Sequence, residues 1–260
     1  MLEIRNLRVT FLSNGKQAVR GIDLAMAPGE RLGLVGESGS GKTVTAMALS
    51  GLILRSRVEM SGEILFEGKD LLRCSREELR AVQGRDIGVV FQEPMTSLNP
   101  LMRIGKQVEE TLKIHTDLSP AERKRRALEA MEQVGLPAPE ATYKKYPHQL
   151  SGGQRQRVII ASAMVIRPKL LICDEPTTAL DVTVQAQILA LLKSLNQEFG
   201  VGILLISHDL AVVRRLCEKV AVMYRGEIVE RGRTEEIFRQ PREEYTKRLV
   251  AAIPGRKRHG

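Results

Sequence analysis

Apolar and polar positions alternate with period two at the start of the chain, first at Leu2 and Ile4, then at Leu7, Val9 and Phe11, and the phase slips at Asn6. That pattern predicts short half-buried strands. Ile22 and Leu24 mark another, and residues 62–68 read as a strand bounded by glycines. Arg31-Leu32-Gly33-Leu34-Val35 is more continuously apolar, and so are the runs at 169–173 and 202–206. Strands of that kind are buried on both faces of a parallel sheet. Helical segments lie between them, which predicts an α/β core. Near the end, 220–224 and 227–230 flank Arg225-Gly226 as a hairpin.

The middle has a different character. From Glu93 to about Leu150 there is little strand signal. Ser119-Pro120-Ala121-Glu122 predicts a capping box with proline at the first helical position. Leu128, Met131 and Val134 follow at helical spacing, Gly135 ends the run, and Pro137 stands just beyond. A helical insert within the α/β core is expected, with no internal repeat or low-complexity linker.

Composition narrows the class. The 260 residues are 43% apolar and 27% charged, which argues against global disorder and leaves room for one large domain or a core with a small second lobe. Forty Lys and Arg against 31 Asp and Glu give a net charge of +9. An anionic partner and a merely solvated basic surface both fit that charge. Aromatics are 3% with no Trp, poor material for stacking nucleic-acid bases. The basic run Arg256-Lys257-Arg258-His259 reads as solubilising. Cys74, Cys173 and Cys217 are far apart and odd in number, so no disulfide scaffold, zinc finger or iron–sulfur cradle is expected, and a reducing cytosol suits them. Met1–Arg5 lacks the pattern of a signal peptide. The longest mainly apolar run, 158–166, is nine residues, against about 20 for a membrane helix.

The strongest chemical signal is Gly36-Glu37-Ser38-Gly39-Ser40-Gly41-Lys42-Thr43, which fits the phosphate-loop pattern at every fixed position. It follows an apolar strand and precedes a helical stretch over 44–52. Backbone N–H groups close around phosphates in such a loop, and the helix N-terminus favours anions. Lys42 is expected to reach the β- and γ-phosphates and the Thr43 hydroxyl to ligate Mg²⁺. The loop alone leaves kinases, GTPases and ATPases open.

A second constellation is Leu170-Leu171-Ile172-Cys173-Asp174-Glu175, a buried strand ending in two adjacent carboxylates. Adjacent strand residues point to opposite faces. At a strand end the chain is already turning, so both can serve one site in different roles. Asp174 is expected to hold Mg²⁺, directly or through water, and Glu175 to act as general base on the attacking water. A third is Leu150-Ser151-Gly152-Gly153-Gln154 ahead of a helix over 155–166. Ser151 can cap that helix, and the glycines expose N–H groups at its positive end, either as a plain helix start or as a second anion site. A second anion site in one chain suggests two chains sharing nucleotide.

Together these residues resemble the ATP-binding subunit of an ATP-binding-cassette (ABC) transporter. The resemblance identifies a Walker A loop at 36–43, a Q-loop glutamine at Gln92, the LSGGQ signature at 150–154, and Walker B ending at Asp174-Glu175. It identifies a D-loop at Thr178-Ala179-Leu180-Asp181 and a switch histidine at His208, in the family's order along essentially the whole chain. It implies a P-loop ATPase core, mainly a parallel sheet flanked by helices with an N-terminal antiparallel β subdomain. The core would span 1–92 and 167–260 of a single domain, with a helical signature subdomain at 93–166. ATP and Mg²⁺ are the implied cofactors. His208 would contact the γ-phosphate and the attacking water, and Gln92 would serve the metal and catalysis. Ser151, Gly152, Gly153, Gln154 and Asp181 would meet nucleotide across a dimer. Family members stack adenine on an early aromatic residue; Phe11 is the candidate, and a core phenylalanine is its other reading.

Within the family, Gln92 to Pro100, Tyr146-Pro147-His148-Gln149, Glu175 to Gln187, and the segment from Pro241 through Tyr245 to Pro254 resemble importer ATPases for peptides and nickel. Many peptide-importer members continue into a cysteine-rich tail that can hold an iron–sulfur cluster. This chain has no cysteine after Cys217, so no cluster is expected, and the short form looks more like the nickel-type members. The implied assembly is a second ATPase subunit, identical or related, with two integral-membrane permeases and a solute-binding protein, at the cytoplasmic face of the membrane. No nucleic acid is expected: the interval between Gln92 and Ser151 is short, with no heptads or cysteine pairs. The rival readings are an accessory subunit of a phosphonate-degradation complex and a nucleic-acid-handling ABC ATPase.

Overall fold

The computed structural model describes residues 1–91, 97–178 and 180–253. Gln92 to Thr96, Ala179 and the terminal basic run lie outside the described residues. The chain divides into two compact units, one of residues 1–79 with 202–260, the other of residues 80–201.

The first unit begins with β1 (Leu2–Phe11) and β2 (Gln17–Met26). The phase slip at Asn6 does not break the strand. It is a bulge between Ile4 and Leu7, with Asn6 at φ 45°, and it turns Leu7 and Val9 back to the buried face that Leu2 and Ile4 occupy. Next come β3 (Arg31–Val35), α1 (Lys42–Leu49), β4 (Val58–Phe66) and β5 (Lys69–Asp70). Strands β2, β1, β4 and β5 make an antiparallel sheet in that order. β4 starts four residues earlier than its flanking glycine suggested, because Val58 to Ser61 pair along Arg8 to Phe11. Helix α2 (Arg76–Val82) follows and continues past residue 79.

The second unit holds β6 (Ile87–Val90), α3 (Ile104–His115), α4 (Pro120–Gln133), α5 (Pro139–Tyr143), α6 (Gly152–Met164), β7 (Leu170–Asp174) and α7 (Val182–Phe199). β6 and β7 pair in parallel. Helices α3, α4 and α6 pack on one another, and Ile104, Val108, Leu112, Ala127, Met131 and Ile160 along them are buried. The predicted helix at 119–135 is present. The Ser119 hydroxyl accepts from the Glu122 N–H, while the Glu122 carboxylate pairs with Arg125. Ala127, Ala130 and Met131 form the buried face, with Leu128 only half covered. Gly135, at φ 69°, ends the helix as a Schellman turn, its N–H on Glu132 and that of Leu136 on Met131.

The chain then returns to the first unit with β8 (Gly202–Ser207), α8 (Leu210–Leu216), β9 (Lys219–Tyr224), β10 (Glu227–Arg233), α9 (Thr234–Arg239) and α10 (Glu244–Ala251). β3 lies parallel between β8 and β9, with Leu34 opposite Ile206 on one side and Ala221 on the other. β8 is buried along its whole length, as its unbroken apolar run predicts. β9 and β10 form the predicted hairpin, turning at Arg225 (φ 49°) and Gly226 (φ 91°). No helix among the described residues is long and apolar enough to cross a membrane.

Candidate active site

The phosphate loop leaves the C-terminal end of β3 and enters α1 at Lys42. Gly41 is the N-cap at φ 110°, and a side chain there would lie 2.5 Å from the Ala18 carbonyl. Both facts require glycine. Having no side chain, it cannot cap the helix, so backbone N–H groups form the positive end of α1. Lys42 is 4% exposed, and its ammonium donates to the Gly36 and Glu37 carbonyls at 2.8 Å each and to Ser40 Oγ at 3.4 Å. The cation therefore sits inside the loop rather than in solvent. Two further contacts hold the loop. The Gly226 N–H of the hairpin donates to the Ser40 carbonyl at 2.9 Å, and the Glu37 N–H donates to the Tyr245 hydroxyl at 2.8 Å. Thr43 follows Lys42 in the first turn of α1, while Glu37, Ser38 and Gly39 form the exposed crest of the loop.

His208 is exposed at the end of β8. The flanking residues fix its backbone: Ser207 Oγ accepts from the Asp209 N–H at 3.0 Å, and Asp209 caps α8 by accepting from the Ala211 N–H at 2.7 Å. Phe11 ends β1 opposite Val58 and is half buried.

In the second unit, Asp174 is the last residue of β7 and is buried, whereas Glu175 is half buried. Glu175 has φ 47°, a left-handed conformation that costs a non-glycine residue on the order of 1–3 kcal/mol. The strand thus ends abruptly between the two carboxylates. The Thr178 hydroxyl donates to Glu175 Oε2 at 2.8 Å and holds that carboxylate in place. The Cys173 thiol beside them is fully buried, and desolvation drives its pKa far up, so it stays protonated and unreactive.

The signature segment forms the start of α6, so the helix begins at Gly152, three residues earlier than expected. Ser151 and Gln154 make a reciprocal capping box: Ser151 Oγ accepts from the Gln154 N–H at 3.3 Å, and Gln154 Oε1 accepts from the Ser151 N–H at 3.0 Å. The second glycine has a packing reason as well. A side chain on Gly153 would lie 2.7 Å from Val184 Cγ1 of α7. Gly153→Ala should therefore destabilise the protein by about 1 kcal/mol, although alanine is the better helix former. Adding Val184→Ala should restore most of that loss. Thermal unfolding of both single variants and the double variant checks this, and equal melting temperatures for Gly153→Ala and wild type would refute the contact. Asp181 caps α7, accepting from the Val184 N–H at 2.9 Å. Gln92 lies outside the described residues.

Sequence reasoning overlooked Tyr245 as a partner of the phosphate loop. Its only signal was one aromatic residue on the apolar face of the last helix, which does not say what the hydroxyl meets.

Residues 19–178 match the protein family described as ABC transporter. The chain is 51% identical over 257 residues to the oligopeptide transport ATP-binding protein OppD of Bacillus subtilis, covering 98% of this chain and 72% of that protein. It is 45% identical over 257 residues to the dipeptide transport ATP-binding protein DppD of the same organism, covering 98% and 77%. Among solved structures, a dimeric ATP-binding cassette in a post-hydrolysis state with ADP and phosphate superposes with a TM-score of 0.79 at 30% identity, over 90% of this chain and 99% of that one.

Proposed function

The chain belongs to the ABC transporter family, and from that premise we propose that it is the ATP-hydrolysing subunit of a membrane importer for peptides. The observation that carries the reading is the Lys42 ammonium enclosed by the phosphate loop at the uncapped start of α1. That arrangement suits the phosphates of a nucleotide. The cargo is inferred from the oligopeptide and dipeptide relatives. They favour peptides over nickel and lend nothing to the phosphonate or nucleic-acid readings.

In this reading Lys42 and the loop N–H groups hold the phosphates. Thr43 and Asp174 offer the hard oxygen donors that Mg²⁺ prefers, with Gln92 as a further ligand. Mg²⁺, when bound, would neutralise charge developing on the phosphate oxygens. Glu175 takes the proton of the attacking water, and His208 stabilises the γ-phosphate end. The signature residues 151–154 and Asp181 complete the site of a second ATPase subunit, so two chains close on two nucleotides. The dimeric post-hydrolysis cassette supports that arrangement.

A face for the membrane partner is available within the second unit. A cavity of about 330 Å³ there is lined by Phe91, Leu98, Gln107, Thr111, Ile114 and Ile159. Beside it, Gln107 fixes the loop at 99–102 by accepting from the Asn99 N–H and donating to the Asn99 and Met102 carbonyls. Leu101 is 88% exposed and Ile114 68%. Apolar side chains so exposed on an ordered scaffold suit a docking site, and we assign it to the permease at the cytoplasmic face of the membrane. A solute-binding protein on the other side would deliver cargo.

The test is to purify the chain from its own cell membranes in detergent and identify the subunits that come with it. Two integral-membrane proteins and peptide-stimulated ATPase activity after reconstitution with the binding protein are expected. A chain that leaves the membrane in buffer alone, with no such partner and no response to peptide, would overturn the importer reading.

A further inference from the structure

The phosphate loop is fastened by a side chain from the far end of the sequence. Tyr245 lies on α10, is 6% exposed, and accepts the Glu37 N–H at 2.8 Å. Its ring stacks on Tyr224, the last residue of β9, with centroids 4.1 Å apart and planes 28° from parallel. The Arg248 guanidinium stands 5.8 Å from the Tyr245 ring and that of Arg225 5.0 Å from the Tyr224 ring. The start of α10 is tied down in turn, since the Glu230 carboxylate of β10 accepts from the N–H groups of Arg242 and Glu243 at 2.9 and 3.2 Å. The hydroxyl is thus placed by a stacked ring and a tethered helix, not by a freely rotating surface side chain.

The Glu37 backbone is held at both its N–H and its carbonyl. Its carbonyl accepts from Lys42, together with that of Gly36, while its N–H goes to Tyr245. A lysine that serves phosphate must share its three donors between the ligand and those carbonyls, so its support of the loop weakens at the moment the loop must keep its shape. The tyrosine contact does not depend on the lysine. We propose that Tyr245 is a positioning residue for nucleotide binding, a clamp that holds the first half of the phosphate loop in its binding conformation when Lys42 turns to the phosphates.

The inference rests on the loop being the ATP site. Tyr245→Phe keeps the ring, its stack and its burial, and removes only the hydroxyl. Its affinity for MgATP, measured by titration with a fluorescent ATP analogue, should fall roughly 3- to 10-fold, the range for one lost hydrogen bond. KM should rise by the same factor with kcat within about twofold, since a loop that is less well organised weakens ground and transition states alike. The Glu37 amide should exchange faster in the nucleotide-free variant, and the melting temperature should change little. Glu230→Gln, which loosens the tether of α10, should move Glu37 exchange in the same direction by less. Wild-type affinity together with wild-type Glu37 exchange in Tyr245→Phe would overturn the clamp. So would a large drop in melting temperature with kcat and KM both impaired, which would mark ordinary packing. Failure of the wild-type protein to bind MgATP would instead sink the ATPase reading, and Glu37 exchange would still decide the clamp.

Discussion

Glu175→Gln is expected to bind MgATP with wild-type affinity, hydrolyse it about 10²–10⁴ times more slowly, and accumulate as an ATP-bound dimer. Glutamine keeps the size of the side chain and a carbonyl oxygen in the position of Oε2, so the Thr178 hydroxyl retains its acceptor and the turn after β7 should survive. What is lost is the capacity to take a proton from water. Because the backbone already holds residue 175 at φ 47°, the variant inherits that conformation, and its melting temperature should stay close to that of wild type. Asp174→Asn should behave differently. Asp174 is buried at the end of the strand, and a neutral amide there weakens metal binding and with it productive closure. Light scattering with MgATP, run beside a phosphate-release assay, separates the two. Turnover at the wild-type rate in Glu175→Gln would remove that residue from catalysis, and a monomer with ATP bound would undermine the shared-site dimer.

Much of this arrangement was legible in the chain because its signals are local. Unbroken apolar runs predicted β3, β7 and β8 to within a residue or so, since a strand buried on both faces leaves little room for polar side chains. The phosphate loop could be read because glycine, lysine and threonine at fixed spacing carry their own geometry. Contacts between distant segments were harder. The phase slip at Asn6 looked like a break between strands, because a bulge and a strand end give the same shift in alternation. The true start of β4 depended on pairing with β1, which no local window reveals. Helix α6 reached back into the signature because Ser151 and Gln154 cap each other, whereas the two glycines had suggested a loop. Tyr245 and Glu37 are more than 200 residues apart, so their hydrogen bond is a property of the fold alone.

Lys42→Met should leave the chain folded but reduce MgATP affinity by at least tenfold and bring hydrolysis to the limit of detection. Lys42 is a buried cation whose ammonium donates to two carbonyls and a hydroxyl of its own loop. Hydrogen bonds from a charged group contribute about 1.5–3 kcal/mol each, so its loss reaches both the loop and any phosphate it would hold. Methionine preserves the length and apolar stem of the side chain and fills the same space in α1. Lys42→Ala leaves that space empty and should be the less stable of the two. Lys42→Arg keeps the charge but brings a planar, bulkier head into a loop that encloses a compact ammonium, and should recover only part of the binding. Three quantities decide the matter: the melting temperature without nucleotide, the dissociation constant for MgATP, and the steady-state rate. If Lys42→Met melts like wild type yet binds and hydrolyses ATP equally well, the loop is not the nucleotide site. If it melts far lower and binds normally once folded, Lys42 serves the loop's own carbonyls and not the phosphates.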